Sequence, residues 1–140
     1  MVGSGNQTIL LVEDYKDSRE MTRFLLEGLG YRIMEARNGK EGLDLALGET
    51  PDLVLTDFNL PDIDGTTLVK RLRSLGDKMS RIPIIMLTAH DRAGLYDLAM
   101  TAGCTAFLTK PVSYVVLENT INTLLEESRK LNGSVNNLSH

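Results

Sequence analysis

The fold of this chain is decided by the stretch from Leu53 to Gly65, which reads Leu-Val-Leu-Thr-Asp-Phe-Asn-Leu-Pro-Asp-Ile-Asp-Gly. Its first three residues form a compact apolar run, which favours a strand buried on both faces of a parallel sheet. The run leads to Asp57, so this carboxylate is predicted at the carboxyl end of the strand, where open α/β sheets bind ligands. Pro61 and Gly65 are turn residues, so a loop is predicted next. Taken alone, an Asp at a strand end is more often a helix cap or a loop ligand than a nucleophile.

The overall composition is that of one soluble globular domain. The chain has 140 residues, of which 42% are hydrophobic and 24% charged, enough to bury a core. The net charge of −4 and the lack of a basic run argue against nucleic-acid binding through this chain. Cys104 is the single cysteine, which excludes an internal disulfide and favours a reducing, cytoplasmic location. No stretch reaches the length of a membrane span, so no membrane contact is expected.

Apolar runs and helical stripes alternate along the chain. Asp17 and Ser18 are predicted to cap the first helix. The third helix is predicted from the stripe Leu68, Leu72, Leu75 and Met79, and the last from Leu117, Ile121 and Leu124. The predicted strands lie at 8–12, 31–36, 53–57, 82–88 and 106–109.

Five strands alternating with five helices predict a doubly wound parallel α/β sheet with helices on both faces. The domain is expected to span residues 7–130. Residues 1–6 are expected to be disordered or added by cloning, and residues 131–140 to form a frayed polar tail.

Four of the five apolar runs end in a reactive polar group. These groups are Glu13 with Asp14, then Asp57, Thr88 and Lys110. In a parallel sheet such ends lie along one edge, so the side chains are predicted to converge in one crevice.

The residue types in this crevice suit phosphoryl transfer. Three neighbouring carboxylates repel one another without a cation, and oxygen ligands of this kind suit Mg²⁺. A carboxylate such as Asp57 can attack phosphorus and form an acyl phosphate. The Lys110 ammonium and the Thr88 hydroxyl can then each hold one phosphoryl oxygen.

The sequence resembles the response-regulator receiver domains of two-component signalling, which include the chemotaxis regulators. The resemblance covers residues 8 to 130, nearly the whole chain. It is carried by the pattern Asp-x-x-x-Pro-x-x-Asp-Gly that starts at Asp57, and by the pairs Glu13-Asp14, Thr88-Ala89 and Lys110-Pro111. Each motif alone is weak, and together they are specific.

The resemblance implies a flavodoxin-like (βα)5 sheet with strand order 2-1-3-4-5 and a role for each site residue. Asp57 corresponds to the phosphoacceptor, which takes its phosphoryl group from a histidine kinase or a histidine phosphotransfer protein. Asp14 corresponds to the principal Mg²⁺ ligand, with Glu13 acting through water and the Asn59 main-chain carbonyl completing the site, which could also hold Mn²⁺.

The resemblance also implies how the phosphoryl group is read. Thr88 corresponds to the hydroxyl that moves to the phosphoryl group, and Phe107 to the switch aromatic coupled to it. Lys110 corresponds to the paired lysine, with a cis peptide before Pro111. The partner-binding face is expected on the fourth helix, fifth strand and fifth helix. Asn59 and His90 are expected to tune dephosphorylation.

The resemblance implies a phosphorylation-controlled binding module, which catalyses only its own phosphorylation and dephosphorylation. One alternative is a flavodoxin-like aspartyl-phosphate phosphatase, which would need a second acid two residues after Asp57, where Asn59 stands. The other alternative is a degenerate scaffold receiver, although every phosphorylation residue is present.

Overall fold

The computed structural model describes residues 7–89 and 94–138, with side chains up to residue 131. Strands and helices alternate throughout these residues, as predicted. The strands are β1 (Thr8–Val12), β2 (Arg32–Ala36), β3 (Leu53–Asp57), β4 (Ile84–Thr88) and β5 (Ala106–Thr109). The helices are α1 (Lys16–Gly28), α2 (Gly39–Gly48), α3 (Gly65–Arg73), α4 (Leu95–Ala102) and α5 (Tyr114–Leu138).

The strands form one parallel sheet in the order β2-β1-β3-β4-β5, which confirms the predicted doubly wound, flavodoxin-like fold. Every residue of β1, β3 and β4 is buried, because each has a strand on either side and helices over both faces. β2 and β5 form the edges and are partly exposed. The apolar run that leads to Asp57 is therefore the central strand, β3.

Two apolar cores cover the two faces of the sheet. Successive side chains of a strand point to opposite faces. Leu10 therefore enters the core that also contains Leu68 of α3, and Leu11 enters the core that contains Ile121 of α5. Both faces of the sheet are covered by apolar packing, so a site built from polar groups is expected at the carboxyl edge of the sheet.

The start of α1 differs from the prediction. The predicted cap by Asp17 or Ser18 is wrong, because the helix begins at Lys16 and its N-cap is Tyr15, whose side chain makes no capping bond. The main-chain N–H of Tyr15 instead donates to the Glu13 carboxylate at 3.3 Å. An acid of the predicted site thus holds the residue that precedes the helix, although it does not cap the first N–H groups of the helix.

The end of α3 also differs. The helix ends at Arg73, although the apolar spacing continued to Met79. Gly76 follows with a φ of 144°, a left-handed conformation that a continuing right-handed helix excludes. Met79 still reaches the same core as Leu68, but from the turn beyond the helix. Apolar spacing alone did not separate these two cases.

The last helix is longer than predicted. Its buried stripe is Leu117, Ile121 and Leu125, whereas Leu124 is only partly buried. Its backbone stays helical to Leu138, through most of the segment predicted as a frayed tail. Once a helix is nucleated, each further residue adds one hydrogen bond, which favours such extension. Residues 1–6 and 139–140 lie outside the described residues.

Two aspartates hold the loop between β3 and α3. Asp64 caps α3 by accepting from the Thr67 N–H at 2.9 Å. Asp62 accepts from the N–H groups of Gly39 and Lys40, both at 2.8 Å, and so ties the loop to the first turn of α2. The loop that borders Asp57 is therefore fixed at both its middle and its end. Across residues 7–89 and 94–138, no helix combines the length and apolar character needed to cross a membrane.

Candidate functional site

The predicted convergence of polar groups at the carboxyl edge of the sheet is present. β1, β3, β4 and β5 lie side by side, so their ends meet at this edge. The groups brought there by these four strands are Glu13, Asp14, Asp57, Thr88 and Lys110. Residues far apart in the sequence are therefore neighbours in space.

Lys110 joins the two buried carboxylates of the site. Its Nζ lies 2.6 Å from Oδ1 of Asp57 and 3.1 Å from Oε1 of Glu13. Its main-chain N–H donates to the Thr88 carbonyl oxygen at 2.7 Å. The peptide bond to Pro111 is cis, as the resemblance implied. The lysine is thus held through both its backbone and its ammonium group.

Three acids form a cluster that suits a hard cation. Carboxylate oxygens of Glu13, Asp14 and Asp57 all lie within 4.8 Å of one another. Asp14 is exposed, while the other two are buried. All three donors are oxygen atoms, as Mg²⁺ and Mn²⁺ prefer, and the exposed acid leaves room for the water molecules that Mg²⁺ retains.

The electrostatics of the cluster favour an added positive charge. Burial raises the pKa of Asp57 to about 8, helped by its hydrogen bond with Glu13 and opposed by Lys110. Burial acts to raise the pKa of Glu13 as well, but the hydrogen bond with Asp57 and the charge of Lys110 outweigh it, so that pKa is lowered. The single positive charge of Lys110 does not balance the negative charges of two buried carboxylates and of a third carboxylate beside them. A divalent cation would favour the ionised form of all three.

Thr88 and Phe107 lie on the same face of the sheet. Thr88 is buried at the end of β4, and Phe107 of β5 pairs in register with Met86, two residues before Thr88. Because side chains alternate along a strand, Met86, Thr88 and Phe107 share one face. The ring of Phe107 packs against the core on that face, together with Met86. This arrangement brings the predicted switch pair onto neighbouring strands.

An apolar cavity of about 420 Å³ lies beside the acids. Asp57 and Lys110 contribute to its polar end, and Met21 of α1 and Leu117 of α5 to its apolar wall. Val112, in the loop after β5, lines it too. The cavity gives the site an apolar flank on the side of α1 and α5.

The roles of two further site residues stay predictions. Asn59 is exposed in the loop after β3, and the role of its carbonyl stays a prediction. His90 lies outside the described residues. Arg19 was not predicted as part of the site, although its Nη1 donates to the Glu13 carbonyl oxygen at 2.9 Å. A signal was available, because long side chains in the first turn of a helix point back over the preceding turn.

Comparison with known proteins gives one consistent result. Residues 9–122 match the family model of the response regulator receiver domain. The polar-differentiation response regulator DivK of Brucella anthropi is 34% identical over 122 residues, which are 87% of this chain and 98% of that protein.

Solved structures are similar over the same region. A CheY-like response regulator receiver domain protein from Methanospirillum hungatei JF-1 has a TM-score of 0.84 at 31% identity, covering 89% of this chain and 97% of that one. The receiver domain of the sensor histidine kinase PA1611 from Pseudomonas aeruginosa PAO1 has a TM-score of 0.79 at 30% identity, covering 86% and 98%. That receiver domain has a magnesium ion coordinated in its active site cleft.

Proposed function

The chain belongs to the response regulator receiver domain family and is a receiver domain of two-component signalling, and on this premise we propose that Asp57 is its phosphoacceptor. The donor is a phosphohistidine of a sensor histidine kinase or of a histidine phosphotransfer protein. The observation that carries the proposal is the contact of 2.6 Å between Lys110 Nζ and Asp57 Oδ1, beside two further acids. The apolar cavity next to Asp57 is the proposed path for the donor's imidazole ring.

The transfer follows from the chemistry of these side chains. An oxygen of Asp57 attacks the phosphorus, and the phosphorus–nitrogen bond of the donor breaks. The electron pair of that bond stays on the imidazole, and a mixed anhydride forms on Asp57. Lys110 neutralises charge on one phosphoryl oxygen, and the Thr88 hydroxyl donates to another. Positioning and charge of this kind supply most of the catalysis in phosphoryl transfer.

The three acids are the proposed Mg²⁺ ligands. Glu13, Asp14 and Asp57 would hold the ion with the Asn59 main-chain carbonyl, Glu13 acting through water. Mn²⁺ can replace Mg²⁺ because it accepts the same oxygen donors. When bound, the ion neutralises charge on the transferring group. The proposal is supported by the all-oxygen donor set and by the closeness of the three carboxylates.

The chain is proposed to act as a switch without a separate substrate. Its reactions are its own phosphorylation and the hydrolysis of its own acyl phosphate. Hydrolysis requires a water in line with the bond between Asp57 and phosphorus. The side chains of Asn59 and His90 are proposed to flank that water and so to set the lifetime of the phosphorylated state.

The proposed output surface consists of α4, β5 and α5. Thr88 moves to the phosphoryl group, and Phe107 turns into the space that the hydroxyl leaves. Exposed apolar and aromatic side chains stand on this surface, where an altered arrangement would change the affinity for a partner. They are Tyr96, Leu98, Tyr114, Val115 and Val116.

The working unit is proposed to be residues 7–130, acting in the cytoplasm. A kinase that phosphorylates its own histidine draws on ATP, which is a cytoplasmic metabolite. Cys104 is the single cysteine, so the fold does not depend on an oxidising compartment.

Intact mass spectrometry tests the proposal. Incubation with acetyl phosphate and Mg²⁺ should add one phosphoryl group to the wild-type chain, and chelation of Mg²⁺ should abolish the addition. Asp57→Asn should stay unmodified. Asp44→Asn is the matched control, because Asp44 is an exposed acid of α2 that pairs with Lys40. Labelling of Asp57→Asn to the wild-type extent would refute the assignment.

A further inference from the structure

Arg19 contacts the turn that carries two of the three acids. Its Nη1 donates to the carbonyl oxygens of Glu13 and Asp14, at 2.9 Å and 3.4 Å. The side chain is only 11% exposed, although it belongs to the first turn of a surface helix. The guanidinium therefore lies folded back over the turn between β1 and α1.

Besides Arg19, the Tyr15 N–H restrains this turn by donating to the Glu13 carboxylate at 3.3 Å. The turn joins β1 to α1 without a side-chain cap at Tyr15. At its start, the Glu13 N–H donates to the Ala36 carbonyl oxygen at 3.0 Å. The Arg19 guanidinium donates to the carbonyl oxygens of the next two peptide units, Glu13–Asp14 and Asp14–Tyr15. The direction of the Glu13 and Asp14 side chains depends on how these units are rotated.

Glu35 holds the guanidinium in place and balances its charge. Glu35 lies on β2, in register with Leu11 of β1. One carboxylate oxygen lies 3.3 Å from Arg19 Nε, and the other lies 3.0 Å from Arg23 Nε. The Arg19 side chain thus connects Glu35 on the edge strand β2 with the turn that carries Glu13 and Asp14. Its positive charge is paired with a carboxylate outside the cluster of acids.

We propose that Arg19, held by Glu35, is a positioning residue for the cation site. By fixing the main chain of Glu13 and Asp14, it keeps both carboxylates directed toward Asp57. The inference rests on the proposed function, since it assumes that this cluster binds Mg²⁺. Groups that orient metal ligands without touching the metal commonly change metal affinity by about 10- to 100-fold when they are removed.

A purely electrostatic role for Arg19 predicts the opposite sign. A positive charge near the acids repels a divalent cation, so its removal would tighten binding. Positioning predicts that removal weakens binding. The sign of the change in Mg²⁺ affinity therefore separates the two roles, and no estimate of the size of either effect is needed.

Arg23 supplies a matched control. It lies one helical turn beyond Arg19, carries the same charge, and also pairs with Glu35 and with Glu27. Its described contacts do not include the carbonyls of Glu13 or Asp14. Arg23→Ala therefore removes one positive charge and one contact with Glu35. It leaves the Arg19 guanidinium over the turn that carries Glu13 and Asp14.

The experiment is isothermal titration of the metal-free protein with Mg²⁺, repeated with Mn²⁺. Arg19→Ala should weaken binding by about 10-fold or more, and Arg23→Ala should stay within about 2-fold of wild type. Arg19→Lys should have a Mg²⁺ affinity between those of the two alanine variants, because one ammonium cannot reach Glu35 and the carbonyls together. At saturating Mg²⁺, phosphorylation of Arg19→Ala by acetyl phosphate should approach the wild-type rate.

Each further outcome has a defined meaning. Binding by Arg19→Ala that is equal to wild type or tighter overturns the inference, as does equal weakening by Arg23→Ala. If Arg19→Ala does not fold, Arg19→Lys is the second variant, since it keeps the positive charge but lacks the planar set of donors that reaches Glu35 and the carbonyls together. Weaker Mg²⁺ binding by Arg19→Lys then supports the inference, and unchanged binding overturns it. A wild-type chain that binds no Mg²⁺ refutes the proposed function itself.

Discussion

The rings of Tyr96 and Phe107 meet edge to face, with centroids 5.7 Å apart and planes at 83°. Tyr96 stands on α4 with 54% of its surface exposed, while Phe107 comes from β5 and packs against the core. A movement of the Phe107 ring must therefore alter a side chain that faces solvent. The contact links the interior of the proposed switch to the proposed output surface.

Beryllium trifluoride, a mimic of the phosphoryl group, should perturb both rings. With Mg²⁺ present, amide and aromatic resonances should shift around Asp57 and across residues 94–118, because Thr88 and Phe107 lie on strands that lead to that face. Burial of an aromatic ring contributes on the order of 1 kcal/mol here, enough to bias two arrangements without locking either. The measurement is a heteronuclear NMR titration, with Asp57→Asn as the control. Shifts confined to the acids and Lys110 would exclude the coupling.

Arg73 lies at the end of the sheet opposite the acids. Its guanidinium donates to the carbonyl oxygens of Gly103 at 2.7 Å, Met79 at 2.9 Å and Ile82 at 2.6 Å. It thereby joins the end of α3 to the turns before β4 and β5. The guanidinium also contacts the Thr105 hydroxyl oxygen at 3.4 Å. These partners lie just before β4 and β5, away from the acids, so the residue serves stability and not the phosphoryl chemistry.

Arg73→Ala should lower the free energy of unfolding by about 2–4 kcal/mol, because partly buried carbonyls lose charged donors. Arg71→Ala is the control, since Arg71 is an exposed neighbour on the same helix, and it should change stability by less than about 0.5 kcal/mol. Urea denaturation followed by circular dichroism measures both. Equal losses in the two variants would contradict the assigned role.

Cys104 should behave as an inert thiol. Burial raises its pKa to about 11, against the opposing charge of Arg73. Because the raised pKa keeps the thiol protonated at pH 8, alkylation by iodoacetamide should be about 100-fold slower in the native protein than in urea. The native rate should rise about tenfold per pH unit between pH 8 and pH 10. Fast alkylation at pH 8 that matches the urea rate would identify a reactive thiol instead.

Much of this molecule could be predicted from its sequence, because the strongest signals are local. Three unbroken apolar runs became β1, β3 and β4, and the polar residues at their ends met at one edge as parallel pairing requires. The end of α3 was not predictable from spacing, because Met79 continues the apolar pattern although the helix has already ended at Arg73. Packing, not periodicity, decides such cases.

The supporting contacts of the site were harder to predict than its acids. Glu13, Asp14 and Asp57 are marked by their place at strand ends, whereas Arg19 acts on main-chain carbonyls, and the signal for that contact is its place in the first turn of α1 rather than its residue type. Asp62 in the loop after β3 is similar, because it accepts from main-chain N–H groups in the first turn of α2. Contacts to the backbone do not depend on the partner's side chain, so residue types alone do not reveal them.

Gly65 lies against the backbone of β3, the strand that carries Asp57. A Cβ at this position would lie 2.7 Å from the Asp57 carbonyl oxygen and 2.8 Å from the Phe58 Cα. The Gly65 N–H also donates to the Phe58 carbonyl oxygen at 2.7 Å. The first residue of α3 therefore packs directly on the end of β3, at a distance that only glycine permits.

Gly65→Ala should destabilise the fold and slow phosphorylation, because a methyl group there forces apart the backbones of α3 and β3. Strain of this kind costs about 1–3 kcal/mol, and a small displacement of Asp57 from Lys110 can lower the rate by about 100-fold. Gly48→Ala is the matched control: nothing lies within 4 Å of its Cβ position, at the end of α2, so it should be neutral or stabilising by up to about 1 kcal/mol. Thermal unfolding and the acetyl phosphate assay measure the two effects separately. If Gly65→Ala unfolds and is phosphorylated like Gly48→Ala, then β3 tolerates movement at its carboxyl end, and the close contact with α3 does not position Asp57.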